Sequence, residues 1–298
     1  MRILDIIEKI RLNIKAYILI LLKSHKKNYS ENLIGIIFSK DRPLQLYALL
    51  ESYFIYCKNP MSLIILYKAS EENYEKAYNE IKDLFKNQKI TFRKEISFKS
   101  DLIHLLETTS SKFIFFLVDD IIFTKHFVFD DFISLKDNNK YILSLRLGEN
   151  LNYCYTKQSK QPLPSFNKKK NFLVWKWRKE KLDWNYVFSV DGNIYNKDEI
   201  LIIAKMINFR APNSFEAGIN TFRFILRRKK GICYQESKLV NVCLNKVQNE
   251  IKNISGNIST NELLQYWNEG KKIDINYFNN MMNNSAHIQI DDLPLKNR

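Results

Sequence analysis

One stretch constrains the fold more than any other: Lys112-Phe113-Ile114-Phe115-Phe116-Leu117-Val118-Asp119-Asp120-Ile121-Ile122-Phe123. Six apolar residues run into two adjacent carboxylates, and three more apolar residues follow. A continuous aromatic and branched run reads as a strand covered on both faces, the condition inside a parallel sheet. Burying an uncompensated charge is costly, so Asp119 and Asp120 need water, a cation or a hydrogen-bonded partner. In open α/β sheets ligands bind beyond the carboxyl ends of the strands, which is where this pair belongs.

The rest of the chain supplies such a sheet. Leu33–Phe38 is a second buried strand, ending in Ser39-Lys40-Asp41-Arg42-Pro43, with Pro43 suited to a first helical position. Leu46, Leu49, Leu50, Tyr53 and Phe54 form the helical stripe after it. Ser62–Tyr67 is another strand, followed by Ser70 as a helix cap, an acidic first turn and a stripe through Tyr74, Ala77, Ile81, Leu84 and Phe85. A more polar strand, Ile90–Ile96, precedes a helix capped by Ser100. Strands alternating with helices of about a dozen residues indicate βαβ units. There is no G-x-G-x-x-G after the first strand and no G-x-x-x-x-G-K-[ST] anywhere, which disfavours a dinucleotide fold or a P-loop enzyme.

The pattern changes after residue 125. Tyr141–Leu147 reads as a strand and residues 149–172, lysine-rich with Pro162 and Pro164, as a mobile loop. Leu173–Trp177 and Trp184–Val190 carry bulky aromatics at alternate positions, the period of strands with two different faces. Asp191-Gly192 is a turn signal. Asn196 with Glu199, and Ser259 with Glu262, are capping boxes. A helix opens at Ala211-Pro212-Asn213-Ser214-Phe215-Glu216 and ends in basic residues, and 238–244 is a strand.

With 298 residues, 45% of them apolar, the chain has enough material for one large domain. The four cysteines fit no zinc spacing and read as reduced thiols. The net charge of +15 favours acidic partners, but the lysines are spread along the chain, so no specific nucleic acid is expected. Within the first 27 residues, Ile3, Ile6, Ile7, Ile10, Ile14 and Ile18 recur at helical spacing among Lys9, Arg11, Lys15, Lys23, Lys26 and Lys27. The apolar run is too short to span a bilayer and no small-residue cleavage site follows. An interfacial helix on an anionic membrane surface, a helix packed on the domain and a dimer contact each suit this segment.

The segments IGIIFSKDRPLQLYALLESY and FIFFLVDDIIF, in this order and separation, resemble the GT-A glycosyltransferases over roughly residues 33–220. The resemblance implies a mostly parallel α/β sheet flanked by helices, with a mixed, aromatic-rich C-terminal half. Residues 1–30 are then a basic amphipathic helix, and 31–298 a single catalytic domain, with 31–125 the nucleotide-sugar half and 126–298 the acceptor half. The family's usual D-x-D is shortened here, with Val118 where a first aspartate often stands.

In that family a divalent cation, Mn²⁺ or Mg²⁺, neutralises the leaving diphosphate of a nucleotide-sugar donor. The resemblance implies Asp120, with His287 of the C-terminal segment, as metal ligands, and Asp119 directed to the ribose or a metal-bound water. Ser39, Asp41, Arg42, Lys68 and Asp101 fall where the family binds the nucleotide. Arg42 suits a phosphate and Asp41 a base or ribose, while capping a strand-to-helix turn suits them equally. Asp101 also reads as a first-turn helix acid. An inverting transfer needs a general base, for which Glu216, slightly preferred, and Asp191 are the candidates. Asn213 with Glu216 also reads as a capping box. Trp175, Trp177, Trp184 and Tyr186 are sugar-stacking faces or core. His25, His104 and His126 read as structural or surface residues.

The implied activity moves a sugar to a glycan or lipid-linked acceptor in surface polysaccharide or lipooligosaccharide synthesis, at the cytoplasmic face. Two other readings use the same residues. A metal-dependent nucleotidyl or phosphoryl transferase would release pyrophosphate in place of a nucleoside diphosphate. A non-catalytic basic module would bind nucleic acid with a steep salt dependence.

Overall fold

The computed structural model describes residues 3–23, 29–245, 256, 258–279, 281, 283–290 and 292–298. Its N-terminal half is a run of βα units: α1 (Ile3–Lys23), β1 (Glu31–Lys40), α2 (Pro43–Tyr56), β2 (Leu63–Lys68), α3 (Glu72–Leu84), β3 (Ile90–Lys94), α4 (Phe98–Thr108) and β4 (Ser111–Val118). The chain turns at Asp119-Asp120 into β5 (Ile121–Phe123), then α5 (Asp130–Ile133) and β6 (Tyr141–Ser144). Four short strands follow, β7 (Tyr153–Cys154), β8 (Ser159–Lys160), β9 (Asn167–Lys169) and β10 (Phe172–Trp175), then β11 (Asn193–Asn196). The remainder comprises α6 (Lys197–Ala204), α7 (Pro212–Asn220), α8 (Arg223–Leu226), β12 (Lys230–Cys233), β13 (Leu239–Val242), α9 (Thr260–Asn268), β14 (Lys271–Ile273), α10 (Asn276–Asn279), β15 (His287–Ile288) and β16 (Leu295–Asn297).

Among the described residues the main sheet has nine strands in the order β3-β2-β1-β4-β11-β6-β12-β10-β9. The first four are parallel, and β11 runs antiparallel beside β4. This is the mostly parallel, helix-flanked α/β architecture that the GT-A resemblance implies. β4 is central because its run is apolar on both faces: Phe113, Phe115 and Leu117 pack into one buried layer, Ile114 and Phe116 into the other. Gly35 of β1 faces that crowding, since a Cβ there would stand 2.5 Å from Phe115 and Leu63. α2 starts at Pro43 and buries Leu46, Leu49, Leu50 and Tyr53. Its Ser52 hydroxyl accepts a hydrogen bond from the Phe123 backbone N–H at 3.0 Å, which fixes where the chain goes after the aspartates.

A small second sheet, β15-β13-β5, determines the site. β13 runs antiparallel to β5 and parallel to β15, with Asn241 opposite both Ile121 and His287. The C-terminal segment is thereby brought to within one strand of the Asp119-Asp120 turn.

Several expectations are corrected. Trp184–Val190 is not a strand but a 3₁₀ turn over Leu182–Asn185 followed by irregular chain. Burial there does not alternate: Trp184, Val187, Phe188 and Val190 fill the core from an irregular path, while Tyr186 is exposed. Residues 149–172 hold β7, β8 and part of a 3₁₀ and strand framework, so they are structured. Ser70 does not cap α3, because both its N–H and its hydroxyl donate to Asp41. Ser100 lies inside α4, whose N-terminus is held by Asp101. Asn196 and Ser259 do cap their helices, accepting from the backbones of Glu199 and Glu262.

Candidate active site

Asp119 and Asp120 form the turn at the carboxyl end of β4, and β1 delivers Arg42 alongside. The guanidinium Nη1 lies 2.9 Å from Asp119 and 3.2 Å from Asp120, while Nη2 donates to the Asn245 carbonyl at 2.6 Å. Asp119 also accepts from the Lys40 backbone N–H at 3.1 Å and is almost fully buried. Asp120 accepts from Asn241 Nδ2 at 2.9 Å and keeps 15% of its side chain exposed. Burial is the main force on Asp120 and pushes its carboxyl up to about 6; Arg42 and His287 oppose the rise, Asp119 and Asp191 add to it. Burial works against the Arg42 charge, but the two aspartates outweigh it and hold the guanidinium above its ordinary pKa.

Asp41 is one of the few non-glycine residues with positive φ, at 54°. Its carboxylate accepts from the Ser70 N–H at 2.7 Å and hydroxyl at 2.8 Å, locking the loop after β2 to the loop after β1. A left-handed aspartate is a strained choice that the surrounding bonds hold in place. Ser39 shares a hydrogen bond of 2.7 Å with Tyr78, and the Tyr78 hydroxyl also accepts from the Arg42 N–H. Lys68 lies 3.5 Å from Glu95 at the same edge. Tyr67, beside Lys68 on the same strand, is buried, with its hydroxyl bound to Glu75. The Asp101 carboxylate is committed to the Ile96 and Ser97 N–H groups at 2.7 and 2.8 Å, the first-turn acid reading.

A second group of titrating residues faces the aspartates. Asp191 stands in the turn before β11, where Gly192 adopts φ 81° and donates from its N–H to the Phe116 carbonyl of β4 at 2.8 Å. His287 Nε2 sits 3.3 Å from Asp191 Oδ2, and the Ser189 hydroxyl donates to the same oxygen at 3.2 Å. Burial alone would raise Asp191, but the hydrogen bond and charge of His287, then Arg146 and Ser189, hold it below its ordinary value. For His287 burial opposes the charge, and Asp191 reverses that, so the imidazole sits above its ordinary pKa. Glu216 projects from α7 and accepts from the Val190 N–H at 3.3 Å. Burial first, then Asp191, push it up to about 8, against Arg146 and His287. The pair thus divides: one carboxylate ionised at neutral pH, the other protonated.

The capping box expected for Asn213 with Glu216 is absent: Ala211 is the N-cap and Ser214 is the residue that bonds back to it. Glu216 is therefore free for the cluster. Trp175, Trp177 and Trp184 are core residues, and Tyr186 alone of the four keeps substantial exposure, at 38%. His104 and His126 lie on the surface; His25, Lys26 and Lys27 lie outside the described residues.

Two contributors escaped the sequence reading. Arg146 is 1% exposed, pairs with Asp183 at 3.2 Å and lies within the electrostatic reach of Asp191 and Glu216. Asn241 joins Asp120 to the strand beside His287. Arg146 is the one charged residue in Leu143-Ser144-Leu145-Arg146-Leu147 and Asn241 the one polar residue in Leu239-Val240-Asn241-Val242, and those interruptions were the available signal. Asn150 secures the C-terminal segment, donating to the Asn283 carbonyl at 2.8 Å and the Ser237 hydroxyl at 3.0 Å.

The chemistry of the donor set bears on a divalent cation. Among the described residues no three His, Cys, Asp or Glu side chains are grouped to hold a metal ion. Asp120 offers hard oxygens and His287 a nitrogen, a pair that suits a cation retaining waters and phosphate oxygens. Both are now engaged, Asp120 by Arg42 and Asn241 and His287 by Asp191.

No family model matches the chain. Among curated proteins it is similar to the bifunctional glycosyltransferase pgtA of Dictyostelium discoideum, 28% identical over 217 residues, which cover 63% of this chain and 28% of that protein. The chain thus spans little more than a quarter of that relative's length. Among solved structures it is similar to S. aureus TarS, with a TM-score of 0.46 and 11% identity over 70% of this chain and 36% of the other. A structure of S. aureus TarS 1-349 in complex with UDP gives 0.45 and 10%, over 70% and 59%. The mannosyltransferase PcManGT from Pyrobaculum calidifontis, in complex with GDP-Man and Mn²⁺, gives 0.38 and 13%, over 70% and 61%.

Proposed function

We propose that this GT-A-like chain is a glycosyltransferase that moves a sugar from a nucleotide-diphosphate donor to the hydroxyl of a glycan or lipid-linked acceptor, with inversion. The observation that carries the reading is the Asp119-Asp120 turn, held by Arg42 and Asn241 at the carboxyl edge of β4 and facing the Asp191, Glu216 and His287 cluster. The relative pgtA, a glycosyltransferase by name, supports it.

The residues divide the work. Arg42 is a fixed cation where the leaving diphosphate would develop charge, and it is preorganised by two aspartates and a carbonyl. Asp119 sets that guanidinium and is tied to the β1 backbone. Asp191, ionised and oriented by His287 and Ser189, takes the acceptor proton. This moves the base away from Glu216, which stays protonated up to about pH 8 and serves as a hydrogen-bonding group toward the sugar or acceptor. Tyr186, partly exposed beside this cluster, offers a stacking face for the acceptor.

Asp120 is the residue that would hold Mn²⁺ or Mg²⁺, and such a cation when bound adds Lewis-acid neutralisation of the diphosphate. His287 would be its second ligand, through Nδ1 with the Asp191 contact kept or through Nε2 in place of it. The proposed setting is surface polysaccharide or lipooligosaccharide synthesis.

The test is product analysis with separate panels of nucleotide sugars and nucleoside triphosphates, each with and without Mn²⁺. Release of a nucleoside diphosphate, lost in Asp191→Asn, supports the reading; release of pyrophosphate identifies a nucleotidyl transferase, and no turnover of any donor by the folded wild type refutes both.

A further inference from the structure

α1 docks on the domain by the face its sequence makes least apolar. Ala16 is fully buried, Leu12 and Ile20 pack against the core layer that contains α6, and Asn13 Nδ2 donates to the Thr221 carbonyl at 3.5 Å. Tyr17 lies under the Arg228 guanidinium at 4.2 Å. Successive residues of a helix are rotated by about 100°, so the opposite face carries Ile7, Ile10, Ile14 and Ile18 in one stripe. These four isoleucines are 49–56% exposed, and Leu22 at the end of the helix is 71% exposed. An amphipathic helix in a water-soluble fold normally turns such a stripe inward. Here it faces out, and among the described residues the domain leaves it uncovered.

The surroundings indicate what covers it. Arg11 and Lys15 lie on the same exposed face as the isoleucines. Beside α1 runs α8 with the segment after it, Arg223-Phe224-Ile225-Leu226-Arg227-Arg228-Lys229-Lys230, five cations and no acid. Arg223 and Arg228 are exposed, and Phe224 is 62% exposed. Among the described α1 side chains Glu8 is the one acid. A second copy of this chain on the stripe would set these cations against their own kind, in a protein of net charge +15. An anionic surface satisfies both the stripe and its cationic border. No described helix is long and apolar enough to cross a membrane.

We propose that the outward isoleucine face of α1, with the basic α8 segment beside it, lies on the interface of an anionic phospholipid bilayer. The isoleucines enter the acyl boundary, and Arg11, Lys15, Arg223 and Arg228 meet lipid phosphates. The surface is independent of the donor site, so its success or failure is separable from the glycosyltransferase reading.

The experiment is co-sedimentation of the full chain with vesicles of phosphatidylcholine alone or doped with phosphatidylglycerol, at low and high salt. The comparison is with the triple variant Ile10→Ser/Ile14→Ser/Ile18→Ser and with Arg11→Ser/Lys15→Ser. Melting temperature and hydrolysis of a soluble donor confirm that both variants are folded. The wild type pellets with the doped vesicles and is released by salt, and each variant binds at least about tenfold more weakly. Wild-type-like pelleting of the isoleucine variant, or equal wild-type binding to both vesicle types, overturns the proposal. So does a wild type that stays in solution as a dimer by light scattering and becomes a monomer in the isoleucine variant.

Discussion

Replacing Glu216 by glutamine separates a catalytic base from a neutral hydrogen-bonding group. The side chain keeps its size and its ability to accept from the Val190 N–H. It loses only the capacity to ionise. In the fold the carboxyl is pushed from 4.5 up to about 8 by burial and by the neighbouring Asp191. At about 1.4 kcal/mol per tenfold change in proton activity, the ionised form is roughly 5 kcal/mol costlier in the fold than in water. The protonated folded state binds a proton that the unfolded chain has released. The resulting stability is fully present below pH 4.5 and is lost as pH rises through about 8. Glutamine has no such slope. The assay is urea denaturation of wild type and Glu216→Gln at pH 6 and pH 9. The variant should gain roughly 3 kcal/mol relative to wild type between the two pH values. In turnover at pH 7 it should stay within about tenfold of wild type, because it replaces a group that is already neutral. Parallel stability curves would refute the buried, protonated carboxyl, and a loss of about a thousandfold at pH 7 would return the role of base to Glu216.

Asp191→Asn should lower kcat by about 10²–10⁴-fold with little change in donor affinity, measured by steady-state kinetics. Asp191 is held low and His287 high by each other, so the pair's contribution to stability is lost as pH falls through the Asp191 value and again as it rises through the His287 value. A His287→Ala melting series across pH should show that plateau flattened. Gly148→Ala should destabilise by about 2 kcal/mol or more on thermal melting, because a Cβ there lies 2.2 Å from the Ser237 backbone nitrogen, which cannot move aside cheaply. Asn150→Ala should loosen the segment bearing His287, seen as faster hydrogen exchange over residues 283–290 with the main sheet unaffected.

The parallel half of the fold was legible because its signals are local. The apolar run 113–118 can be covered on both faces only inside a sheet, and Pro43 starts its helix where its missing N–H costs nothing. Glu216 and Asp191 were visible as carboxylates at a helix start and a tight turn. Which of them is ionised was not, because that depends on Arg146, His287 and Ser189 arriving from distant parts of the chain. The stretch 184–190 misled for a related reason. Alternating bulky residues satisfy the pleat of a strand, yet an irregular path buries Trp184 and Phe188 and exposes Tyr186 when its carbonyls find other donors, as Trp184 O does with Trp175 Nε1.

In the proposed transfer the Asp119-Asp120 edge holds the donor diphosphate. Calorimetric titration of UDP and GDP, with and without Mn²⁺, into wild type and Asp120→Ala tests it most directly. At least one nucleoside diphosphate should bind the wild type, and the variant should bind it at least about tenfold more weakly. Equal affinity in the two proteins, or no binding of either nucleotide to the wild type, would contradict it.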